Sequence, residues 1–155
     1  MRTFERGLSL VELIVFMVIV GVAVAGVLSV MNLTTAKSAD PMVRKQAIAI
    51  AEGMLEEILL KDFSNPPGGF TGAATPANRA LFDDVSDYAG YTTTGIYDLT
   101  GTPIPALSGY GVSVTVANQA VGGVPAAAAK RVTVTVTAPG GETITLSGFR
   151  MDTGS

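Results

Sequence analysis

The chain has no cysteine, no histidine and no tryptophan among its 155 residues. Without cysteine it has no disulfide staple, no thiolate metal site and no thiol nucleophile. Without histidine it lacks the commonest general base near neutral pH and the commonest transition-metal ligand. Charge is also scarce: only 15% of residues are charged and the net charge is -3. With a pI near 4.8, the chain has no bulk attraction for nucleic acid or anionic lipid, so no nucleic-acid partner is expected. These absences argue against an enzyme, and no cofactor is called for.

What the sequence has instead is apolar surface. Hydrophobic residues make up 48% of it and mean hydropathy is +0.44. That is too apolar for disorder. The excess is concentrated in Leu13 to Met31, LIVFMVIVGVAVAGVLSVM, where Ser29 is the only polar side chain. As a helix this run is about 28 Å long at ~1.5 Å per residue, close to the ~30 Å hydrocarbon core of a bilayer. A core helix would show a polar face and this run shows none. Arg2 and Arg6 precede it and Lys37, Arg44 and Lys45 follow it. Flanking charge therefore gives no orientation.

Glu12 stands at the entrance to this run. A carboxylate in hydrocarbon costs at least ~2.5 kcal/mol and is usually paired. The text before it is a short charged leader ending in glycine: Arg6-Gly7-Leu8-Ser9-Leu10-Val11-Glu12. The block Gly7 to Gly26, GLSLVELIVFMVIVGVAVAG, resembles the N-terminus of the type IV prepilin family, which includes the pseudopilins of type II secretion. The resemblance implies a peptidase cut between Gly7 and Leu8 and methylation of the new Leu8 amine. It also makes residues 1–7 a leader. The first mature residue in the family is usually Phe, and Leu8 departs from that. Glu12 would then pair with the Leu8 ammonium of a neighbouring subunit, where no water solvates either charge. Implied partners are other pilin subunits through the N-terminal helix, the prepilin peptidase, the inner-membrane assembly platform and the membrane itself. The implied location is the bacterial inner membrane, as a single-pass protein, and then a periplasmic or extracellular filament. A rival reading makes Met1 to Val22 an ordinary secretory signal, with Ala23-Val24-Ala25 as its small-x-small cleavage site. Glu12 inside its apolar region, and the apolar run continuing past the cut, count against that rival.

Beyond the run, residues 8–31 and 32–63 read as two halves of a helical spine. Asp40-Pro41 has the form of an N-cap followed by Pro at the first helical position. With no Pro between Leu8 and Asp40, one continuous helix kinked at Pro41 fits equally, about 80 Å from Leu8 to Asp62. Gly21 and Gly26 are its weak points at roughly 1 kcal/mol each. Melting there on assembly is an expectation. In the second half Val43, Ala47, Ile50, Met54 and Ile58 recur at three- and four-residue steps, widened by Ala51, Leu55 and Leu59. Arg44, Lys45, Glu52, Glu56 and Lys61 mark the other side, and the helix ends near Lys61 to Phe63.

Residues 64–107 are punctuated by Gly and Pro and read as an irregular region, starting at the NPPGG stop, Asn65 to Gly69. Inside it Asp83, Asp84 and Asp87 offer oxygen ligands to a hard cation such as calcium. Their spacing does not match the helix-loop-helix calcium motif, and Asp is also a common turn residue. Phe82, Tyr88 and Tyr91 read as anchors holding the region to a core. From residue 108 to 155 three segments alternate with period two: Tyr110 to Ala117, Val132 to Thr137 and Thr143 to Ser147. Pro139-Gly140-Gly141 turns the last two into a hairpin.

The expected fold is therefore α+β and pilin-like. A long N-terminal spine, membrane-spanning in its first half, packs on a small antiparallel sheet of three strands. The segments DPMVRKQAIAIAEGMLEEILLKDF, FDDVSDYAGY and KRVTVTVTAPGG are most similar to the minor pilin of mannose-sensitive haemagglutinin-type pili. A minor pseudopilin of type II secretion and a secreted or anchored β-rich module are the alternatives.

Overall fold

A computed structural model describes residues 10–154, with only the backbone described at residues 30 and 32–40. The leader cut at Gly7 and Leu8 lies outside the described residues. The chain divides into two units, Met1–Pro41 and Met42–Ser155.

One helix, α1, covers Leu10–Leu59 and contains Pro41. Asp40-Pro41 is thus not a helix start. Pro41 removes one donor and crowds the carbonyl one turn back, but the hydrogen bonds of the flanking turns carry the helix through. The helix also continues through Gly21 and Gly26.

In the second unit, a four-stranded antiparallel sheet runs in the order β1-β2-β3-β4. Its strands are β1 Thr92–Thr94, β2 Gly111–Asn118, β3 Ala129–Thr137 and β4 Thr143–Met151. The expectation of three strands is corrected by β1. Three threonines in a Gly-rich stretch are too short to show a period, yet they pair with Gly111 to Ser113 of β2. Period two is plain in the longer strands. Val112, Val114, Val132, Val134 and Val136 are buried, while the residues between them are hydroxyl-bearing and point the other way. The registers Val114↔Val134 and Val134↔Leu146 align the apolar face across three strands. Gly140 and Gly141 take φ of 94° and 87° in the β3–β4 hairpin, which side chains with a Cβ rarely adopt.

The second half of α1 covers that face. Ala47, Ala51, Met54 and Ile58 are buried, and Val43, Ile50, Leu55 and Leu59 pack at the margin. Arg44, Lys45, Glu52 and Glu56 face solvent. At Gly148 of β4 an added Cβ would lie 2.8 Å from Leu59 Cδ1.

Residues between α1 and β2 form a third layer of short 3-10 turns, at Pro76–Leu81, Val85–Tyr88 and Pro105–Leu107. Phe82, Tyr88 and Tyr91 hold it down, each no more than 2% exposed. Phe82 meets Tyr88 edge-on at 4.8 Å and Tyr91 at 6.3 Å. Such aromatic pairs add roughly 0.5–1.5 kcal/mol beyond the area they bury.

Candidate functional site

The first candidate surface is the helix segment Leu10–Ser29. It has a mean hydropathy of 2.8, is 0% buried within the chain, and is long and apolar enough to cross a membrane. A membrane anchor and a signal sequence share that description. Glu12 lies in its first turn between Val11, 65% exposed, and Leu13, 47% exposed. Its carboxylate is a lone acidic group on an apolar cylinder. Its expected partner, the Leu8 amine, lies outside the described residues.

The second candidate is the acidic cluster. The fold does bring Asp83, Asp84 and Asp87 together, with one oxygen from each within 4.8 Å of the others. The local reason is the 3-10 turn Val85–Tyr88, for which Asp84 and Asp87 form a reciprocal capping box. Asp87 Oδ2 accepts from the Asp83 and Asp84 N–H groups at 2.9 and 3.2 Å. Asp83 Oδ2 accepts from Phe70 N–H at 2.8 Å. Asp84 accepts from Ser86 N–H and is itself only 2% exposed. Asp83 Oδ1 is buried without a hydrogen-bond partner. Carboxylates of this kind suit a hard cation. Here they already serve backbone donors at a turn, which accounts for their type and spacing.

A further buried polar constellation was not apparent in the sequence. Glu57 of α1 receives the Arg79 guanidinium on both oxygens: Nε donates to Oε1 at 2.9 Å and Nη2 donates to Oε2. The Tyr88 hydroxyl donates to Glu57 Oε1 at 2.7 Å, and Arg79 Nη1 donates to the Tyr97 carbonyl at 2.7 Å. Arg79 is 7% exposed. Burial pulls its pKa down, but the Glu57 hydrogen bond and charge outweigh that and hold it above the ordinary arginine value. Burial, then the Glu57 hydrogen bond and charge, push the Tyr88 phenol far above its ordinary value. The network fastens the 3-10 layer to the helix. One signal did exist, since Arg79 is the sole cation between Lys61 and Lys130.

Three further cations tie down the segment that follows α1. Lys61 Nζ donates to the Phe82 carbonyl at 2.6 Å, and Arg150 Nε donates to the Lys61 carbonyl at 2.9 Å. Lys130 Nζ donates to the Phe63 carbonyl and to Ser86 Oγ, and sits 4.5 Å above the Phe63 ring. An open polar cleft beside Lys130 is lined by Ser64, Thr71, Asp84, Ser86 and Asp87. Around it Asp84 and Asp87 accept from backbone N–H groups, while Lys130 Nζ donates both to the Phe63 carbonyl and to the Ser86 hydroxyl.

No protein-family model, no curated protein and no solved structure matches the chain.

Proposed function

We propose that the chain is a structural subunit of a type IV pilus-like filament, most like a minor pilin of mannose-sensitive haemagglutinin-type pili. The observation that carries this reading is the segment Leu10–Ser29: apolar apart from Glu12 and Ser29, 0% buried in its own chain, with Glu12 its single acid. Apolar surface of that extent must be covered by lipid or by other chains. In this reading it crosses the bacterial inner membrane first and then packs among the helices of neighbouring subunits. The peptidase cuts between Gly7 and Leu8. The methylated Leu8 ammonium then meets Glu12 of the adjacent subunit and sets the axial register. Loss of one member of such a buried pair costs ~3–5 kcal/mol, enough to reject subunits out of register. The same helix continues into the stripe Ala47 to Ile58 that carries the sheet. Its role is assembly rather than catalysis, and it needs no cofactor.

The same properties serve a minor pseudopilin of type II secretion, so neighbouring genes decide between the two machines. A cleaved signal ahead of a secreted β-rich module is the other reading of an N-terminal apolar helix.

The test is the intact mass, with N-terminal fragmentation, of the protein extracted from bacterial membranes. A start at Leu8 with one added methyl is expected. A start at Gly26 would make the apolar segment a discarded signal, and an unprocessed Met1 start would leave only an anchor. Glu12→Ala should then be processed normally yet fail to enter filaments.

A further inference from the structure

In the second unit α1 buries one side against the sheet and leaves the other side bare. Met42, Lys45, Ala49, Glu52 and Glu56 recur along the bare side at three- and four-residue steps, and all are exposed. Apolar side chains stand at its two ends: Met42 is 76% exposed, and Leu60, just past the helix, is 84% exposed. Between them the charge is segregated. Among the described residues the ion pairs are Arg44–Glu142 and Arg79–Glu57, which leaves Lys45, Glu52 and Glu56 without one. Lys45 has no acid three or four residues away in either direction. Glu52 and Glu56 have only each other at that spacing, a like-charge pair that weakens a helix. Glu56 also stands in the last turn, which holds no basic residue and where the helix dipole disfavours an anion. Lys45 lies seven residues from Glu52, about 10 Å along the helix, too far to serve it. Gly53 is exposed beside these acids. A Cβ added there would meet nothing within 4 Å, so the chain's own packing does not call for glycine, which is less favourable than alanine inside a helix. A second helix passing close outside would call for it.

We propose that this face of α1 seats against the same face of a second copy, parallel to it and shifted along the helix by seven residues, about 10 Å. The pairing rests on the filament reading above, in which all copies leave one membrane and their helices point the same way. Seven residues are close to two full turns, so shifted residues keep facing the contact. The shift sets Lys45 of one copy level with Glu52 of the next, Met42 level with Ala49, and Gly53 level with Leu60. Each is a cation against an anion or a large side chain against a small one. Arg44 stays with Glu142 and takes no part. Without a shift, parallel helices would set Lys45 against Lys45 and each glutamate against itself, which repels. An antiparallel pair would also match the charges, but it reverses one copy in the membrane. A separate basic partner would answer Glu52 and Glu56 and leave Lys45 unpaired, and an anionic surface would do the converse. A translated second copy answers both ends at once. The contact is head-to-tail, so it does not close at two copies, and each copy recruits the next.

The test uses the full chain in bacterial membranes. It has no native cysteine. Met42→Cys together with Ala49→Cys leaves Lys45, Glu52 and Glu56 in place. Within one chain the two cysteines lie about 10 Å apart along the helix, beyond disulfide reach. Between copies the shift brings them level. Mild oxidant should therefore give a ladder of trimers and longer species, at least about tenfold above that of M42C/T145C, whose second cysteine is exposed on β4 and has no partner within reach. Adding Lys45→Glu to M42C/A49C should cut the ladder about tenfold, because attraction turns to repulsion at every contact. Adding Glu52→Lys and Glu56→Lys to that chain swaps the signs and should restore the ladder, which a merely misfolded chain would not do. A ladder that stops at dimers, a K45E ladder equal to its parent's, or a sign-swapped chain that stays unlinked would each overturn the pairing. The N-terminal mass of the same sample separates the two ways of failing. Unlinked chains that start at Leu8 overturn the pairing alone, whereas chains that start elsewhere overturn the filament reading and the pairing with it.

Discussion

Arg79→Ala should be the most destabilising single change in the second unit. The Arg79 and Glu57 side chains are 8% and 18% exposed, too buried for solvent to screen the charge that is left. Arg79→Ala strands the Glu57 carboxylate, leaves the Tyr97 carbonyl without its donor and opens a gap beneath the 3-10 layer. Removing one partner of a buried pair costs ~3–5 kcal/mol. Replacing both with apolar side chains of similar size, Glu57→Leu with Arg79→Met, removes both charges at once and should cost far less, since such swaps are often near neutral. The Tyr88 hydroxyl then loses its acceptor, which returns about 1–3 kcal/mol of cost. The single changes Glu57→Leu and Arg79→Met and the double change form a cycle whose coupling should exceed about 2 kcal/mol. The assay is urea unfolding of the full chain in detergent, followed by the near-ultraviolet circular dichroism of tyrosine. If Arg79→Ala costs less than about 1 kcal/mol, or if the single changes simply add, Glu57 and Arg79 behave as an exposed pair and the fastening role is wrong.

The same network gives a pH prediction. The Tyr88 phenol is raised above its ordinary value of 10.0, so the folded chain keeps a proton that the unfolded chain releases above about pH 10. That stability is full below pH 10 and falls above it, by up to ~1.4 kcal/mol per pH unit. Tyr88→Phe should flatten that decline in melting temperature between pH 10 and 12, while costing about 1–3 kcal/mol at pH 7 for its lost hydrogen bond to Glu57. At Gly148, where an added Cβ comes 2.8 Å from Leu59 Cδ1, Gly148→Val should cost ~1–3 kcal/mol by overpacking. Leu59→Ala in the same chain should recover part of it in the same urea assay. Asp84→Ala should cost ~0.5–2 kcal/mol as a lost cap, and by the same amount with calcium or with a chelator. A loss seen only with calcium present would make the acidic cluster a cation site instead.

The parts of the fold that were legible in the sequence are those with a repeating physical demand. A helix buried on one side repeats its apolar residues every three or four positions, and Val43 to Leu59 does so. A strand buried on one side repeats every two, and β2 and β3 do so. β1 escaped because three residues cannot display a period, and its placement depends on β2 offering Gly111 to Ser113 as a template. Pro41 was ambiguous for a related reason: the same dipeptide opens one helix or interrupts another, and only the turns on both sides decide. The three acids were visible as residue types, but their role was not, because donors such as the Phe70 and Ser86 N–H groups reach them only through the folded backbone. Glu57 was hidden by its neighbour. Beside Glu56 it reads as one more solvated charge, although it sits at the margin of the buried stripe, one position before Ile58. Its burial has meaning only with Arg79, which lies across an irregular stretch that carries no periodicity. Pairwise polar contacts between distant segments leave no repeating trace, so a lone cation such as Arg79 among uncharged and acidic residues is the most that a single sequence offers. Within a buried core that isolation is itself informative, because an unpaired guanidinium there would be intolerable. A cation isolated in this way predicts that some carboxylate elsewhere must come to meet it.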